Sequence, residues 1–180
     1  ISPADGLGLA KALFGCLEQD SPAYIRLTGG ANNPVIYSQD SVFKIGQANE
    51  LKFGDDITIF ATGTMVAQSL IVAEKLAKNN VSASVWDMHT IKPIDKLALR
   101  KAALNTPLIV SIEEHNIFGG LSSAIAENIC AYKNPPQLLA IGIEDSFLEP
   151  GSYEHMLHQA GLTPDSITDK ILNALKLSLH

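Results

Sequence analysis

Residues 81–95, VSASVWDMHTIKPID, constrain the fold more than any other part of this 180-residue chain. The stretch opens with alternating apolar and small polar residues, which is typical of a β-strand. The strand pattern ends in Asp87-Met88-His89, and Pro93 then forces the residue before it out of the helical region. Asp95 is suited to cap a following helix. The stretch therefore predicts a strand, a polar turn and a helix, the repeating unit of a parallel sheet.

The same strand–helix unit recurs along the chain. Short apolar runs predict buried strands at residues 57–61, 81–86, 108–112 and 138–143. Apolar residues at helical spacing predict helices between them, at residues 65–78, 96–103 and 121–132. Two further helices are predicted near the C-terminus. Strands that alternate with helices indicate a three-layer α/β fold, with one mainly parallel sheet and helices on both faces.

The first residues of the chain do not repeat this unit. A helix is predicted from a cap at Ser2 to about Gln19, followed by a short strand at residues 23–28. One helix and one strand cannot form a stable layer alone. We therefore interpret residues 1–30 as the end of a preceding domain. This segment is expected to pack on another copy of the chain or to fold back over the remainder.

An irregular stretch separates this segment from the repeating units. Residues 31–45 have no apolar period and contain turn-forming residues, so they are predicted to be a linker. A short hairpin is predicted over residues 43–53, and the main domain is placed at residues 46–180. Because the chain starts at Ile1 rather than Met, we expect it to derive from a longer protein.

Composition excludes several classes of protein. A net charge of −6 argues against a non-specific nucleic-acid binder, which needs clustered cations. No apolar run approaches the ~20 residues of a membrane-spanning helix. Cys16 and Cys130 each lie in an apolar helical pattern and are interpreted as buried free thiols. Free thiols fit a reducing, cytoplasmic compartment.

The densest polar cluster follows the third predicted strand. Glu113-Glu114-His115-Asn116 is followed by Gly119-Gly120 and then by a predicted helix. The free N–H groups at that helix N-terminus could hold an anion. Glu and His together could also perform acid–base chemistry. The interpretation that we favour is a loop whose charged side chains form hydrogen bonds between subunits.

Two other motifs favour structural roles. Thr62-Gly63-Thr64 has neither the glycine spacing of a dinucleotide site nor the Gly-Lys-Ser/Thr end of a phosphate loop, so it predicts a turn with a threonine cap. His155 and His158 have the spacing of a metal pair, but no third ligand accompanies them. A solvated helix face is the better interpretation of these histidines.

Charged residues near strand ends give the remaining candidates. Arg26 stands in an apolar strand pattern, so it needs a carboxylate partner or lies at a pocket edge. Parallel strands end at one edge of a sheet, which predicts that five side chains lie close together there and orient a subunit interface. These interface candidates are Asp87, His89, Glu113, Glu114 and His115.

Read together, the motifs resemble the transketolase family of thiamine-diphosphate enzymes. The segment from Ser2 to Leu27 resembles the end of that family's pyrimidine-binding domain. Three further motifs, in the correct order and strand–helix context, resemble its C-terminal domain: IFATGTM at residues 59–65, DMHTIKP at residues 87–93, and EEHN with GGL at residues 113–121. The resemblance covers nearly the whole chain.

The resemblance implies a homodimeric enzyme that transfers a two-carbon ketol unit between sugar phosphates. Thiamine diphosphate and Mg²⁺ supply the chemistry in such enzymes, while the protein binds and orients the reactants. The family's activating glutamate and metal ligands would lie upstream of Ile1. No catalytic, cofactor-binding or metal residue is therefore expected in this chain. It is expected to be inactive alone, to bind no cofactor, and to need diphosphate- and pyrimidine-binding domains from the same chain or a separate subunit.

One position leaves other members of this superfamily as alternative identities for the chain. Where the family commonly has a phosphate-binding arginine, this chain has Gly29. The alternatives are the C-terminal part of a 1-deoxyxylulose-5-phosphate synthase, a 2-oxoacid dehydrogenase beta subunit, or a binding and dimerisation domain without chemistry.

Overall fold

A computed structural model describes residues 1–28 and 34–177 of the chain. Gly29 and the predicted boundary beside it lie outside the described residues. The described residues form five strands and six helices. In chain order they are α1 (Gly6–Leu17), β1 (Asn49–Lys52), β2 (Ile57–Ala61), α2 (Met65–Lys78), β3 (Ala83–Asp87), α3 (Lys96–Asn105), β4 (Leu108–Asn116), α4 (Leu121–Ile129), β5 (Gln137–Ile143), α5 (Tyr153–Gln159) and α6 (Pro164–Leu177).

The strands form one sheet in the order β1-β3-β2-β4-β5. β2 pairs in parallel with both β3 and β4, and β4 pairs in parallel with β5. Ile57 lies opposite Ala83 on one side and Leu108 on the other. Among the described strands, only the edge pair β1–β3 is antiparallel. The prediction that the four apolar runs share one mainly parallel sheet is confirmed.

Helices cover both faces of the sheet. Ile57, Ile59 and Ala61 of β2 pack with residues of α2 and α6 in one buried cluster. Phe60, the residue between two of them, packs on the opposite face with residues of α3 and α4. This alternation follows from the two-residue period of a strand. The fold is therefore the predicted three-layer α/β arrangement.

Residues 1–28 fold back onto the carboxyl edge of the sheet, the second of the two expected arrangements. The Ser2 amide donates to the carbonyl oxygen of His89 (2.7 Å), and the Gly63 amide donates to the carbonyl oxygen of Ser2 (3.2 Å). Ser2 and Ala4 are buried. Helix α1 starts one turn later than predicted, because Asp5 rather than Ser2 caps it.

The predicted strand at residues 23–28 does not form. This segment is extended, but among the described residues its backbone pairs only with Ile1: the Arg26 amide donates to the Ile1 carbonyl, and the Ile1 amino group donates to the Tyr24 carbonyl. A strand needs a neighbouring strand for its backbone groups, and a single opposing residue does not supply a ladder.

The predicted hairpin over residues 43–53 is also absent. Residues 34–48 have no helix or strand, and β1 pairs with β3 instead of with a neighbouring segment. β4 is longer than predicted and ends at Asn116, which pairs with Ile143 after a register shift. Glu113, Glu114 and His115 consequently lie on a strand rather than in a turn.

The two cysteines are free, as predicted, but their burial is not as predicted. Cys16 is half-buried and Cys130 is exposed at the C-terminal end of α4. Among the helices of the described residues, none is long and apolar enough to cross a membrane.

Replacing Gly54 by alanine should destabilise the fold by about 1–3 kcal/mol, because its Cβ would overlap the backbone of β3. An ideal Cβ at Gly54 would lie 2.2 Å from the carbonyl carbon of Ala83. Urea unfolding of Gly54→Ala measures the loss. Gly6→Ala is the matched control, because a Cβ there meets nothing within 4 Å. Equal stability of the two variants would contradict the close approach of residue 54 to β3.

Candidate functional site

A cleft of about 620 Å³ opens at the carboxyl edge of the sheet, where ligands of α/β proteins collect. One wall comes from the end of α1 and from residues 21–26. The opposite wall comes from residues 91–93 after β3, from the end of β4 and from the N-terminus of α4. The cleft therefore brings Arg26 close to the polar cluster that begins at Glu113.

Glu113 closes the N-terminus of α4. Its side chain is 2 % exposed, and its carboxylate accepts hydrogen bonds from the amides of Leu121 (2.6 Å) and Ser122 (2.8 Å). Gly120 makes room for this carboxylate, since a Cβ there would lie 2.0 Å from Oε2. The positive end of the helix dipole stabilises the negative charge. Glu113 thus occupies the place where the sequence suggested an external anion.

Glu114 joins three elements beside the cleft. Its Oε2 accepts hydrogen bonds from the hydroxyls of Thr64 (2.5 Å) and Tyr153 (2.7 Å), and its main-chain oxygen accepts one from Arg26 (2.9 Å). Burial, together with the bond to Glu114, raises the pKa of Tyr153 to about 12. Thr64 stands at the N-cap of α2, but its hydroxyl donates to Glu114 and caps no backbone group.

Arg26 lines the cleft wall. No carboxylate forms an ion pair with it within the described ranges, and its hydrogen bond goes to the backbone of β4. Of the two interpretations left open by the sequence, the observed position matches a pocket edge.

Asp87 is completely buried at the end of β3. Its Oδ2 accepts a hydrogen bond from the hydroxyl of Tyr37, which also accepts one from the Asn49 amide. Its Oδ1 has no partner among the residues described. Burial raises the pKa of Asp87 to about 7; the Tyr37 hydrogen bond opposes this rise, and the nearby Asp5 carboxylate adds to it. An unpartnered buried oxygen favours the neutral carboxyl group.

His89 is equally buried. Its Nδ1 lies 2.9 Å from the Thr90 hydroxyl, and its ring stacks on Phe43 with 3.8 Å between the ring centres. Its Nε2 lacks a partner in the described part of the chain. Burial, and next the amino group of Ile1, lower the pKa of His89 to about 4. The imidazole is therefore neutral at physiological pH.

The structure places the five interface candidates in two groups. Asp87 ends β3 and His89 follows it, whereas Glu113, Glu114 and His115 lie on β4, and β2 separates the two strands. Both groups lie at the carboxyl edge, but their hydrogen bonds go to different partners. Their role at a subunit interface stays a prediction.

Sequence reasoning missed two residues that organise this edge, Asp5 and Tyr37. The Asp5 carboxylate caps α1 and also accepts hydrogen bonds from the amides of Ile36 and Tyr37. The available signal is the presence of two aromatic residues, Tyr37 and Phe43, within an otherwise irregular stretch.

The spaced histidines form no metal site in the described part of the chain. The described residues contain no group of three or more His, Cys, Asp or Glu side chains that could hold a metal ion. His155, one of the histidine pair, contacts the side-chain amide of Gln159 (2.8 Å).

Comparison with known proteins identifies the domain. The model of the family described as "Transketolase, C-terminal domain" matches residues 46–167. The chain belongs to this family. The resemblance found in the sequence is thereby confirmed.

Relatives of this transketolase-family chain carry several names. It is 38% identical over 168 residues to the 6-deoxy-6-sulfo-D-fructose transketolase subunit SqwH of Clostridium sp., covering 92% of this chain and 51% of the relative. It is 33% identical to an apulose-4-phosphate transketolase subunit of Phocaeicola vulgatus (98% and 56% covered). It is also 33% identical to the 1-deoxy-D-xylulose-5-phosphate synthase of Methylacidiphilum infernorum (97% and 28% covered). The chain thus spans about half the length of the transketolase subunits that it matches.

Solved structures agree with the fold. A structure titled "Split gene transketolase, inactive beta4 tetramer" superposes with a TM-score of 0.87 at 33% identity, covering 97% of this chain and 56% of that one. Transketolase from Campylobacter jejuni superposes with a TM-score of 0.67 at 21% identity, covering 96% and 25%, and shows the fold alone.

Replacing Glu113 by glutamine should lower the free energy of unfolding by about 1–3 kcal/mol, because one of two buried helix amides loses its acceptor. Denaturant unfolding monitored by circular dichroism measures this change. Glu127→Gln is the matched control, since Glu127 lies exposed on the same helix. A loss no larger than that of the control would contradict the capping role of Glu113.

Proposed function

We propose that this chain is the C-terminal part of a transketolase that transfers a two-carbon ketol unit between sugar phosphates. The observation that carries the proposal is the match to relatives named transketolase subunits, at 33–38% identity over 92–98% of this chain. The chain spans about half the length of those subunits. In the proposed enzyme it serves assembly and dimerisation, and it is inactive alone.

The chemistry of the described residues supports an assembly role. Glu113 and Glu114 use their carboxylates in internal hydrogen bonds, and Asp87 and His89 are buried and are not among the described residues that line the cleft. His115 also lines the cleft, with its Nδ1 4.0 Å from the Glu113 carboxylate, but that carboxylate is already bonded to two amides of α4. Enzymes of this kind obtain their reactivity from the cofactor, so the protein parts only bind and orient.

The described residues do not fit thiamine diphosphate and Mg²⁺. The N-terminus of α4, the one flanked by two glycines, is filled by Glu113. Within residues 1–28 and 34–177 there is also no cluster of metal-ligating side chains. We infer that both groups are held by the diphosphate- and pyrimidine-binding domains of the full enzyme.

An exposed apolar surface suggests where those domains pack. It lies on α1 and the segment after it, and Leu17 is 82 % exposed. Its other members are Leu13, Phe14, Tyr24 and Leu27. Contiguous exposed apolar surface marks interaction sites. We infer that this surface packs on the remaining part of the pyrimidine-binding domain.

Two further exposed aromatic side chains, Phe118 and Phe147, lie at the carboxyl edge of the sheet. Phe118 follows the end of β4 and Phe147 follows β5; Asn116, the last residue of β4, donates a hydrogen bond to Asp145 (3.4 Å), and Phe147 is fully exposed. His115 and Glu114 lie on the same part of β4. Aromatic side chains beside charged groups are typical of interface centres. We propose that this pair belongs to the homodimer interface.

Reconstitution tests the proposed activity. The chain alone should show no ketol transfer and, in calorimetry, no binding of thiamine diphosphate with Mg²⁺. Mixing it with the complementary diphosphate- and pyrimidine-binding subunit, or extending it to the full reading frame, should restore both. Micromolar cofactor binding by the chain alone would show that the cofactor site has been assigned to the wrong domain.

Sedimentation velocity tests the proposed interface. Phe118→Ser with Phe147→Ser should shift the protein toward monomer, because two aromatic anchors are lost. Phe53→Ser is the matched control, since Phe53 is comparably exposed but lies near the opposite edge of the sheet. Equal effects of the double variant and the control would place the interface elsewhere.

A synthase is the second candidate function, because one relative at 33% identity over 97% of the chain is a 1-deoxy-D-xylulose-5-phosphate synthase. The reconstituted enzyme distinguishes the two. Turnover of ketose phosphates with aldose acceptors supports the transketolase, and formation of 1-deoxy-D-xylulose 5-phosphate supports the synthase.

A further inference from the structure

Residues 34–48 form a strap over the carboxyl end of β3. The strap contains no helix or strand, and it is held by hydrogen bonds and by the packing of Ile36, Tyr37 and Phe43 against the core. The Asp5 carboxylate accepts hydrogen bonds from the amides of Ile36 (2.6 Å) and Tyr37 (2.8 Å). The Gly46 amide donates to the Thr90 hydroxyl (3.1 Å). Because no sheet ladder includes the strap, it can leave without breaking the sheet.

The strap covers two ionisable side chains. Tyr37 reaches Asp87 with its hydroxyl, and Phe43 lies flat on the ring of His89. Asp87 and His89 are both 0 % exposed. Oδ1 of one and Nε2 of the other have no partner in the described ranges. A charge on either group would be costly while the strap is closed, because the strap keeps water away from both and offers each few hydrogen-bonding groups in its place.

We propose that the strap opens as a unit, and that opening exposes Asp87 and His89 together, so that these two groups bias the opening in opposite directions as the pH changes. The free energy of opening the strap thus depends on the ionisation of both Asp87 and His89. The proposal depends on no assignment of enzymatic activity.

The acid favours opening as the pH rises. In the closed state the pKa of Asp87 is raised from 3.8 to about 7, first by burial. When the strap is open, the carboxyl group regains its ordinary pKa and ionises readily. By proton linkage, the equilibrium constant for opening of the strap then rises about tenfold per pH unit between roughly pH 4 and 7. Above about pH 7 it becomes constant.

The base favours opening as the pH falls. In the closed state the pKa of His89 is lowered from 6.5 to about 4, first by burial. An exposed imidazole binds a proton below about pH 6.5, which stabilises the open state. The opening constant therefore rises about tenfold per pH unit as the pH falls from roughly 6.5 to 4. In that window the two effects offset each other.

The charged and titratable groups around the pair come from every element that covers it. Asp87 faces the Asp5 carboxylate before α1, which adds to the rise of its pKa, and the Tyr37 hydroxyl, which opposes it. Burial raises the pKa of Tyr37 well above its usual range, so its hydroxyl stays protonated. His89 faces the amino group of Ile1, which lowers its pKa. The backbone carbonyl of Gln47 in the strap, and next the Asp95 carboxylate, raise it.

Amide hydrogen exchange tests the proposal on the whole chain. Protection of the Ile36 and Tyr37 amides, corrected for the pH dependence of intrinsic exchange, is followed by NMR from pH 4.5 to 8. The wild type should show nearly constant protection from pH 4.5 to 6.5. Asp87→Asn should lose protection about tenfold per unit toward acid, and His89→Gln about tenfold per unit toward pH 7. Asp55→Asn, an exposed carboxyl control, should follow the wild type.

Two outcomes would overturn the proposal. One is that both variants keep the wild-type pH profile. The other is that, in wild type under mild urea, the strap amides exchange only with global unfolding, together with the amides of β2. If a variant does not fold, NMR titration of the wild-type side chains decides. Titration of Asp87 near pH 7 and of His89 near pH 4 supports the proposal, and titration at their ordinary pKa values refutes it.

Discussion

Parallel pairing of β2 with both of its neighbours is the constraint on which the rest of the structure depends. All five residues of β2 are buried, and the register sets Ile57 level with Ala83 and Leu108. Because the three strands run in the same direction, they deliver their polar C-terminal residues to one edge. The covering segments, residues 1–5 and the strap, pack where those residues emerge.

Three buried carboxyl groups then close that edge by different means. Glu113 and Asp5 each accept hydrogen bonds from backbone amides at a helix start, which satisfies an anion without a cation. Asp87 receives only the Tyr37 hydroxyl and keeps one oxygen without a partner among the described residues. Both oxygens of Asp5 and of Glu113 accept hydrogen bonds, whereas Asp87 has a donor for one oxygen only. These three buried carboxyl groups therefore differ in the number of donors that solvate them.

The sequence predicted the parts of the fold that depend on local pattern. Apolar runs separated by helical periods indicated the four parallel strands, and Asp95 caps α3 as predicted. The strand at residues 23–28 failed because a strand depends on a partner that the pattern does not contain. Glu113 was singled out, but its bond to α4 depends on the close approach that Gly120 allows. The contact between Tyr37 and Asp87 joins residues fifty positions apart and leaves no periodic trace.

The closed end of α4 has a consequence for how such a domain could change its use. Glu113 is the sole side chain bonded to the amides of Leu121 and Ser122 among the described residues, and it reaches them over a glycine. Shortening that one side chain would leave two inward-facing N–H groups at a helix start beside an existing cleft. Such groups are a ready receptor for phosphate. In this domain, a single substitution at residue 113 would therefore convert a closed helix N-terminus into one that is open to an oxyanion.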